Sequence, residues 1–222
     1  MCNPASMIVT RGHKVHWSEN TDSHYEIITE LGLRETDARG NINIVPVEIT
    51  PPDDDMTKPL SEWVFSIDTA GFQRDLPDWW DDEKAEAAVR CALKAWKAKK
   101  VITRKTKALT VGQYYVCGKA TIENVSGNAV VSLRDSAVIK YVGDSAVIKY
   151  VRGSAVIKYV GDSAVIQDVR GSAVIKYVRD SAVIKYVRGS AVIQDVRDSA
   201  VIQDVRDSAV IKLKEEANGV TV

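Results

Sequence analysis

From Gly118 onward, apolar and polar positions recur every nine residues, a period that fits neither an uninterrupted strand nor a helix. DSAVIKYVG, DSAVIKYVR and GSAVIKYVG follow one another over residues 135–161. The first position of the unit falls at Asp135, Asp144, Gly153, Asp162, Gly171, Asp180, Gly189, Asp198 and Asp207. Two degenerate copies, GKATIENVS from Gly118 and GNAVVSLR from Gly127, extend the array to eleven.

Substitutions among the copies assign an orientation to each position. Position three is always Ala, position five is Ile or Val, and position eight is Val wherever the copy is full length and complete, from Val125 to Val205. Position four accepts Thr121, position six accepts Lys, Gln, Glu or Ser, and position seven exchanges Tyr for Asp, as at Tyr141 and Asp168. A short strand with positions three and five inward and four and six outward accounts for this, with position eight turned inward after a bend. The Gly/Asp/Arg–Ser junction is turn chemistry, because Gly and Asp tolerate backbone angles that other residues resist.

A single nonapeptide buries too little apolar surface to offset the ordering of its backbone, so the copies must stack and share hydrogen bonds. The predicted fold is mainly β: a parallel β-solenoid over residues 118–214, a small α+β cap domain before it over residues 1–117, and a tail over residues 215–222. Gly153, Gly171 and Gly189 lie 18 apart, with Asp144, Asp162, Asp180 and Asp198 as the complementary set. This alternation predicts two nonapeptides per coil in preference to three, and roughly five coils at about 4.8 Å each. The competing arrangement, an antiparallel meander of AVIKYV strands, would leave long exposed edges. Two copies per coil would put the four aspartates in one mutually repelling column. Arg179, Arg197, Ser hydroxyls and turn amides are the expected compensation, forming an Asp–Arg ladder.

Residues 1–117 carry no repeat and hold all five tryptophans, all three histidines and all six prolines. Strands are expected near 7–10, 42–50 and 62–68, with a short helix starting after Asp22 or Ser23 and stopping near Gly32. Ala85, Ala88, Val89, Ala92, Leu93 and Trp96 recur at helical spacing within a helix from Asp81 to about Lys100. Acidic residues crowd its first turn and lysines its last, complementing the helix dipole. Strands near 101–104 and 112–117 would lead into the repeat, and the domain would shield one end of the stack.

Charge changes this picture only slightly. Lys plus Arg equals Asp plus Glu at 30 each, so no global field draws the chain to nucleic acid or membrane. The array itself is net basic, with 15 Lys and Arg against 10 Asp and Glu over residues 118–214, which offers weak support for a polyanion. Cys2, Cys91 and Cys117 are widely separated and form no CxxC pair, so no disulfide framework is indicated. The first residues, MCNPASMIVTRGHK, lack the apolar run of a signal peptide, and no window approaches a membrane span. A cytoplasmic protein is expected.

Chemistry-bearing clusters are few. His13, His16 and His24 with Glu19 and Asp22 resemble a metal site without matching any ligand spacing, and are read as structural or surface residues. The acidic runs 53–55 and 78–82 lack the spacing of a calcium loop. Trp63, Phe65, Phe72, Trp79 and Trp80 are read as core and lid of the small domain rather than a stacking pocket. No GxSxG, P-loop or GxGxxG motif occurs. No catalytic residue, cofactor or metal is therefore assigned, and the chain is read as non-enzymatic.

The strings HWSENTDSHYEII (16–28) and WVFSIDTAGFQRDLPDWW (63–80), joined to the SAVIKYV array, resemble nonapeptide-repeat proteins of gut bacteria and their phages. The resemblance implies a mobile-element setting and transfers no catalytic role to any residue. The expected function is a binding protein that presents a rigid solenoid to a macromolecule, with inhibition of a host or defence protein as one form. A structural or self-assembling spacer, homo-oligomeric in that case, is the alternative. The candidate interaction surface comprises Lys140, Tyr141, Lys149, Tyr150, Arg152, Lys158, Tyr159, Arg170, Lys176, Tyr177, Lys185, Tyr186 and Arg188. A host protein is the expected partner, nucleic acid is weakly supported, and no membrane partner is expected.

Overall fold

The computed structural model describes residues 5–68 and 75–213. The chain divides into two compact units, residues 1–100 and 101–222.

In the first unit, β1 (Ser6–Thr10), β2 (Lys14–His16), β3 (Ile44–Thr50) and β4 (Val64–Ile67) form an antiparallel sheet in the order β2-β1-β3-β4. Helix α1 (His24–Glu30) begins at Ser23, whose side chain accepts from the Glu26 amide. Helix α2 (Asp82–Lys100) buries Ala85, Val89, Leu93 and Trp96, as the spacing predicts. The sequence pattern did not reveal that Lys100 continues this stripe. It is 1% exposed, yet its ammonium lies 2.8 Å from Asp22 Oδ1 and 3.0 Å from the Thr21 carbonyl. A charge is tolerated there because it is paired and hydrogen-bonded.

The second unit is the predicted parallel β-solenoid, with about six turns over residues 101–211. Its strands are β5 (Val101–Ile102), β6 (Thr106–Leu109), β7 (Gln113–Val116), β8 (Thr121–Val125), β9 (Val130–Leu133), β10 (Val138–Val142) and β11 (Val147–Val151). They continue as β12 (Val156–Val160), β13 (Val165–Val169), β14 (Val174–Val178), β15 (Val183–Val187), β16 (Val192–Val196), β17 (Val201–Val205) and β18 (Val210–Leu213). Odd-numbered strands from β5 to β17 make one seven-stranded sheet and even-numbered strands from β6 to β18 the other. All neighbours are parallel: Ile139 pairs with Ile157, and Ile148 with Ile166. Two nonapeptides therefore make one coil, and both the three-sided coil and the antiparallel meander are excluded.

The solenoid starts before the recognisable repeat. Strands β5 to β7 already occupy the two sheets, so the change of architecture falls at Lys100/Val101 and not at residue 117. Tyr115 pairs with Ser132 and Thr106 with Ile122, which requires strand pairing but not the nonapeptide sequence. The expected tail lies outside the described residues.

Positions three, five and eight are wholly buried from Ala137 to Val196, as at Ala137, Ile139, Val142, Ala155, Ile157 and Val160, each 0% exposed, and become partly exposed at Val205, Ala209 and Ile211. Each inward set stacks on the same set of the coils before and after it. Backbone hydrogen bonds join the coils as well, as from Val156 N–H to Ala137 O at 3.0 Å and Val174 N–H to Ala155 O at 3.0 Å.

Ile157→Ala is expected to cost about 2–5 kcal/mol, and Ile157→Asp to abolish the cooperative thermal transition of the solenoid through an unpaired buried charge. Tyr177→Asp should shift the melting temperature little, since Arg179 stands at position nine there, as arginine does beside Asp168, Asp195 and Asp204. Equal losses for Ile157→Asp and Tyr177→Asp would contradict the orientation. Deleting residues 153–170 removes one coil and should leave a cooperative melt. Deleting residues 153–161 should destabilise by far more, because it exchanges the two turn edges below the cut; calorimetry of the two proteins decides.

Candidate interaction surface

Each coil turns twice, and the two turns form two columns with different chemistry. One edge carries Asp135, Gly153, Gly171, Gly189 and Asp207, each preceded by arginine: Arg134, Arg152, Arg170, Arg188 and Arg206. The other carries Asp144, Asp162, Asp180 and Asp198, preceded by Gly143, Gly161, Arg179 and Arg197. All these position-one residues have positive φ, from 49° at Asp144 to 69° at Gly171. This conformation explains why only Gly and Asp occupy them.

On the aspartate edge the column is held by the backbone of the preceding coil. Gly127 N–H donates to Asp144 Oδ2 at 3.0 Å, Asp144 N–H to Asp162 Oδ2 at 3.0 Å, Asp162 N–H to Asp180 Oδ2 at 3.0 Å, and Asp180 N–H to Asp198 Oδ2 at 3.3 Å. The turn amides, among the expected compensating groups, supply the donors. No Asp–Arg ladder is seen along this edge among the described residues: Arg197 pairs with Asp195 at 2.8 Å, and the Arg179 guanidinium lies 5.6 Å from the Tyr159 ring centre and 5.7 Å from that of Tyr177. Asp195 is 5% exposed, so the arginine two residues on compensates a carboxylate that water does not reach.

Position nine in turn decides what position seven does. Where it is glycine, the tyrosine reaches across the turn: Tyr141 Oη donates to Asp162 Oδ2 at 2.7 Å and its ring stacks on Tyr159 at 5.4 Å. A Cβ at Gly143 would stand 2.5 Å from Asp162 Oδ2 and from the Tyr141 ring, so the glycine supplies space here. Where position nine is arginine, it lies over tyrosine, as Arg152 on Tyr150 at 4.2 Å and Arg188 on Tyr186 at 5.0 Å. With aspartate at position seven it forms an ion pair, as Arg170 with Asp168 at 2.6 Å.

The thirteen residues singled out from the sequence do not share one surface. Lys140, Lys158 and Lys176 with Tyr141, Tyr159 and Tyr177 belong to the even-numbered sheet, and Lys149, Lys185, Tyr150 and Tyr186 to the odd-numbered sheet. Arg152, Arg170 and Arg188 stand at the glycine-bearing edge. Lys140 is partly engaged by Glu123 at 3.4 Å, and Lys105 and Lys140 together hold the Glu123 carboxyl below its ordinary range, Lys105 chiefly by a hydrogen bond.

In the first unit the three histidines have separate partners. His16 faces Thr10 Oγ1 at 3.1 Å, His13 meets Trp79 edge-on at 6.1 Å, and His24 sits between β3 and β4. Its Nδ1 is 2.9 Å from Asp68 Oδ2 and its Nε2 is 3.0 Å from the Val47 carbonyl, with Glu48 completing a group of three possible metal ligands within 4.8 Å. Sequence reading missed this group because Asp68 lies 44 residues from His24. The aromatic residues also divide: Trp63 packs on Trp96 at 6.1 Å, whereas Trp79 meets Trp80 at 6.0 Å, and Phe72 lies outside the described residues. No helix among the described residues is long and apolar enough to cross a membrane. No family model, curated protein or solved structure matches this chain.

The hydrogen bond to Asp162 pushes the Tyr141 phenol up to about 12, with burial contributing less. The Asp144 amide, and then the Tyr141 hydroxyl, hold the Asp162 carboxyl below its ordinary range. The raised phenol value gives a contribution present below about pH 10 and lost as pH rises through about 12. The depressed carboxylate gives one present above about pH 3.9 and lost as pH falls through its folded value. A phenolate absorbance titration should show a late-ionising step that is lost in Tyr141→Phe and returned toward about 10 by Asp162→Ala. An unchanged late step in that variant would refute the Tyr141–Asp162 bond.

Proposed function

We propose that the chain is a non-enzymatic binding protein whose solenoid offers a macromolecular partner the same side chains at fixed intervals. The observation that carries this is the register pairing of like with like along β10, β12 and β14. Tyr141, Tyr159 and Tyr177 are register partners, and Val138, Val156 and Val174 are register partners beside them. A backbone ladder of this kind fixes the spacing at about 4.8 Å, so little ordering entropy is lost when a partner docks. Rigid tyrosines flanked by lysine suit a protein surface. The resemblance to phage and gut-bacterial proteins makes a host or defence protein the favoured target, with inhibition as the effect.

The structural reading, a spacer that assembles laterally, is favoured by a different observation. One turn edge bears five arginines and two aspartates over positions nine and one, and the other bears two arginines and four aspartates. Unlike edges on one molecule could join copies side by side without closure.

The binding reading predicts monodisperse sedimentation across a wide concentration range and stoichiometric capture of one protein from host lysate. Capture should be lost in Lys140→Glu/Lys158→Glu/Lys176→Glu with the melting temperature preserved. A concentration-dependent, salt-sensitive polymer that captures nothing would replace it with the spacer reading.

A further inference from the structure

The two turn edges use the same backbone conformation and differ in what fills it. At six junctions the position-one N–H donates to a carboxylate from the next coil. On the arginine edge these include Gly118 N–H to Asp135 Oδ2 at 2.7 Å and Gly189 N–H to Asp207 Oδ2 at 2.9 Å. Between those two capped turns lie three whose amides make no hydrogen bond among the described residues: Asp135, Gly153 and Gly171. The reason is compositional. Their caps would come from positions 153, 171 and 189, and all three are glycine. Gly153 and Gly171 are exposed.

Each glycine is preceded by arginine, so Arg152, Arg170 and Arg188 flank the uncapped amides. Position-nine arginines already bind carboxylates in this molecule, Arg170 of this site among them: Arg170 meets Asp168 at 2.6 Å, Arg197 meets Asp195 at 2.8 Å and Arg206 meets Asp204 at 2.7 Å. A guanidinium carries five N–H donors, so one carboxylate does not exhaust it. Backbone amides at a turn of this kind form a concavity for anions, and a charge-assisted bond to such an amide is about twice as strong as a neutral one.

We propose that the glycine-bearing edge is a binding site for an acidic stretch of polypeptide, whose carboxylates take the places that Asp144, Asp162, Asp180 and Asp198 fill on the opposite edge. Both donor types of the site, turn amide and position-nine arginine, already accept carboxylates within the same solenoid, which favours an acidic peptide over a phosphate polymer. The three amides repeat at about 4.8 Å. A partner helix with Asp or Glu at i, i+3 and i+7 presents carboxylates at rises of about 4.5 and 10.5 Å, close to that spacing. The proposal rests on the binding reading above and adds the chemistry of the partner.

The opposite edge also supplies the test. Gly171→Asn and Gly189→Asn together should cap the amides of Gly153 and Gly171 from within the chain, without a change of charge. Asparagine accepts the left-handed conformation. A Cβ at these glycines has its nearest neighbours at 3.0 and 3.2 Å, a gap that small shifts relieve. The melting temperature should be kept or raised. Fluorescence anisotropy with a labelled octa-aspartate peptide at low ionic strength should give saturable binding to the full chain, weakened about tenfold or more in the double variant. Arg152→Gln/Arg188→Gln, which leaves the Arg170–Asp168 pair intact, should weaken it similarly and guards against a folding failure of the first variant. Absence of binding, or binding indifferent to both variants, overturns the proposal. So does an octathymidylate that binds more tightly than the peptide and competes with it. A lysate partner whose capture ignores both variants would leave the binding reading standing and remove this one.

Discussion

The interaction on which the rest depends is the hydrogen bond from a backbone amide of one coil to the carbonyl of the coil before it. Val156 to Ala137, Val174 to Ala155 and Val192 to Ala173 repeat it with N–O distances of 2.9–3.0 Å. A strand ladder admits one spacing only, so each residue of the regular copies stands directly over its counterpart eighteen positions away. The Ala, Ile and Val columns of the core are the first result, since no other register buries Ile139 on Ile157 and Val142 on Val160. The surface columns are the second. Nothing about tyrosine or arginine requires them to align, and they do so because the backbone leaves no alternative.

That constraint turns neighbouring positions into a small grammar. Glycine at position nine lets Tyr141 fold over the turn to Asp162. Arginine there binds whatever occupies position seven, by stacking on Tyr150 or by an ion pair with Asp168. Position one, confined to Gly or Asp by its positive φ, either caps the preceding turn or leaves its amide to solvent. Positions one, seven and nine of each copy therefore determine its surface chemistry, while the inward Ala, Ile and Val stay nearly constant.

The sequence made the solenoid legible because repetition exposes orientation: an Ala that never varies beside a Lys that becomes Gln marks inside and outside without an alignment. The eighteen-residue alternation of Gly and Asp carried the two-copy coil in the same way. What it did not disclose depends on register between residues far apart in the chain. Arg197 was expected beside Asp198 on the strength of adjacency, whereas the bend after position six turns its guanidinium to Asp195. Residues 101–117 pair with the solenoid strands and pack Leu109 and Val116 into its core without the nonapeptide pattern that marks the later copies. His24 and Asp68 meet only because β3 and β4 are neighbours in the sheet, and Lys100 is buried only because Asp22 awaits it.

The direction of the aspartate caps bears on how the chain is made. Each carboxylate reaches back to an amide of the coil already formed, from Asp162 to Asp144 and from Asp180 to Asp162. During synthesis a turn is thus left unfinished until eighteen further residues have left the ribosome, an interval of about one to four seconds at ordinary rates of elongation. On the aspartate edge the newest coil exposes an open turn that only the next coil can close. Growth is accordingly vectorial, and a translational pause inside the array holds the newest coil in a state more easily undone than any behind it.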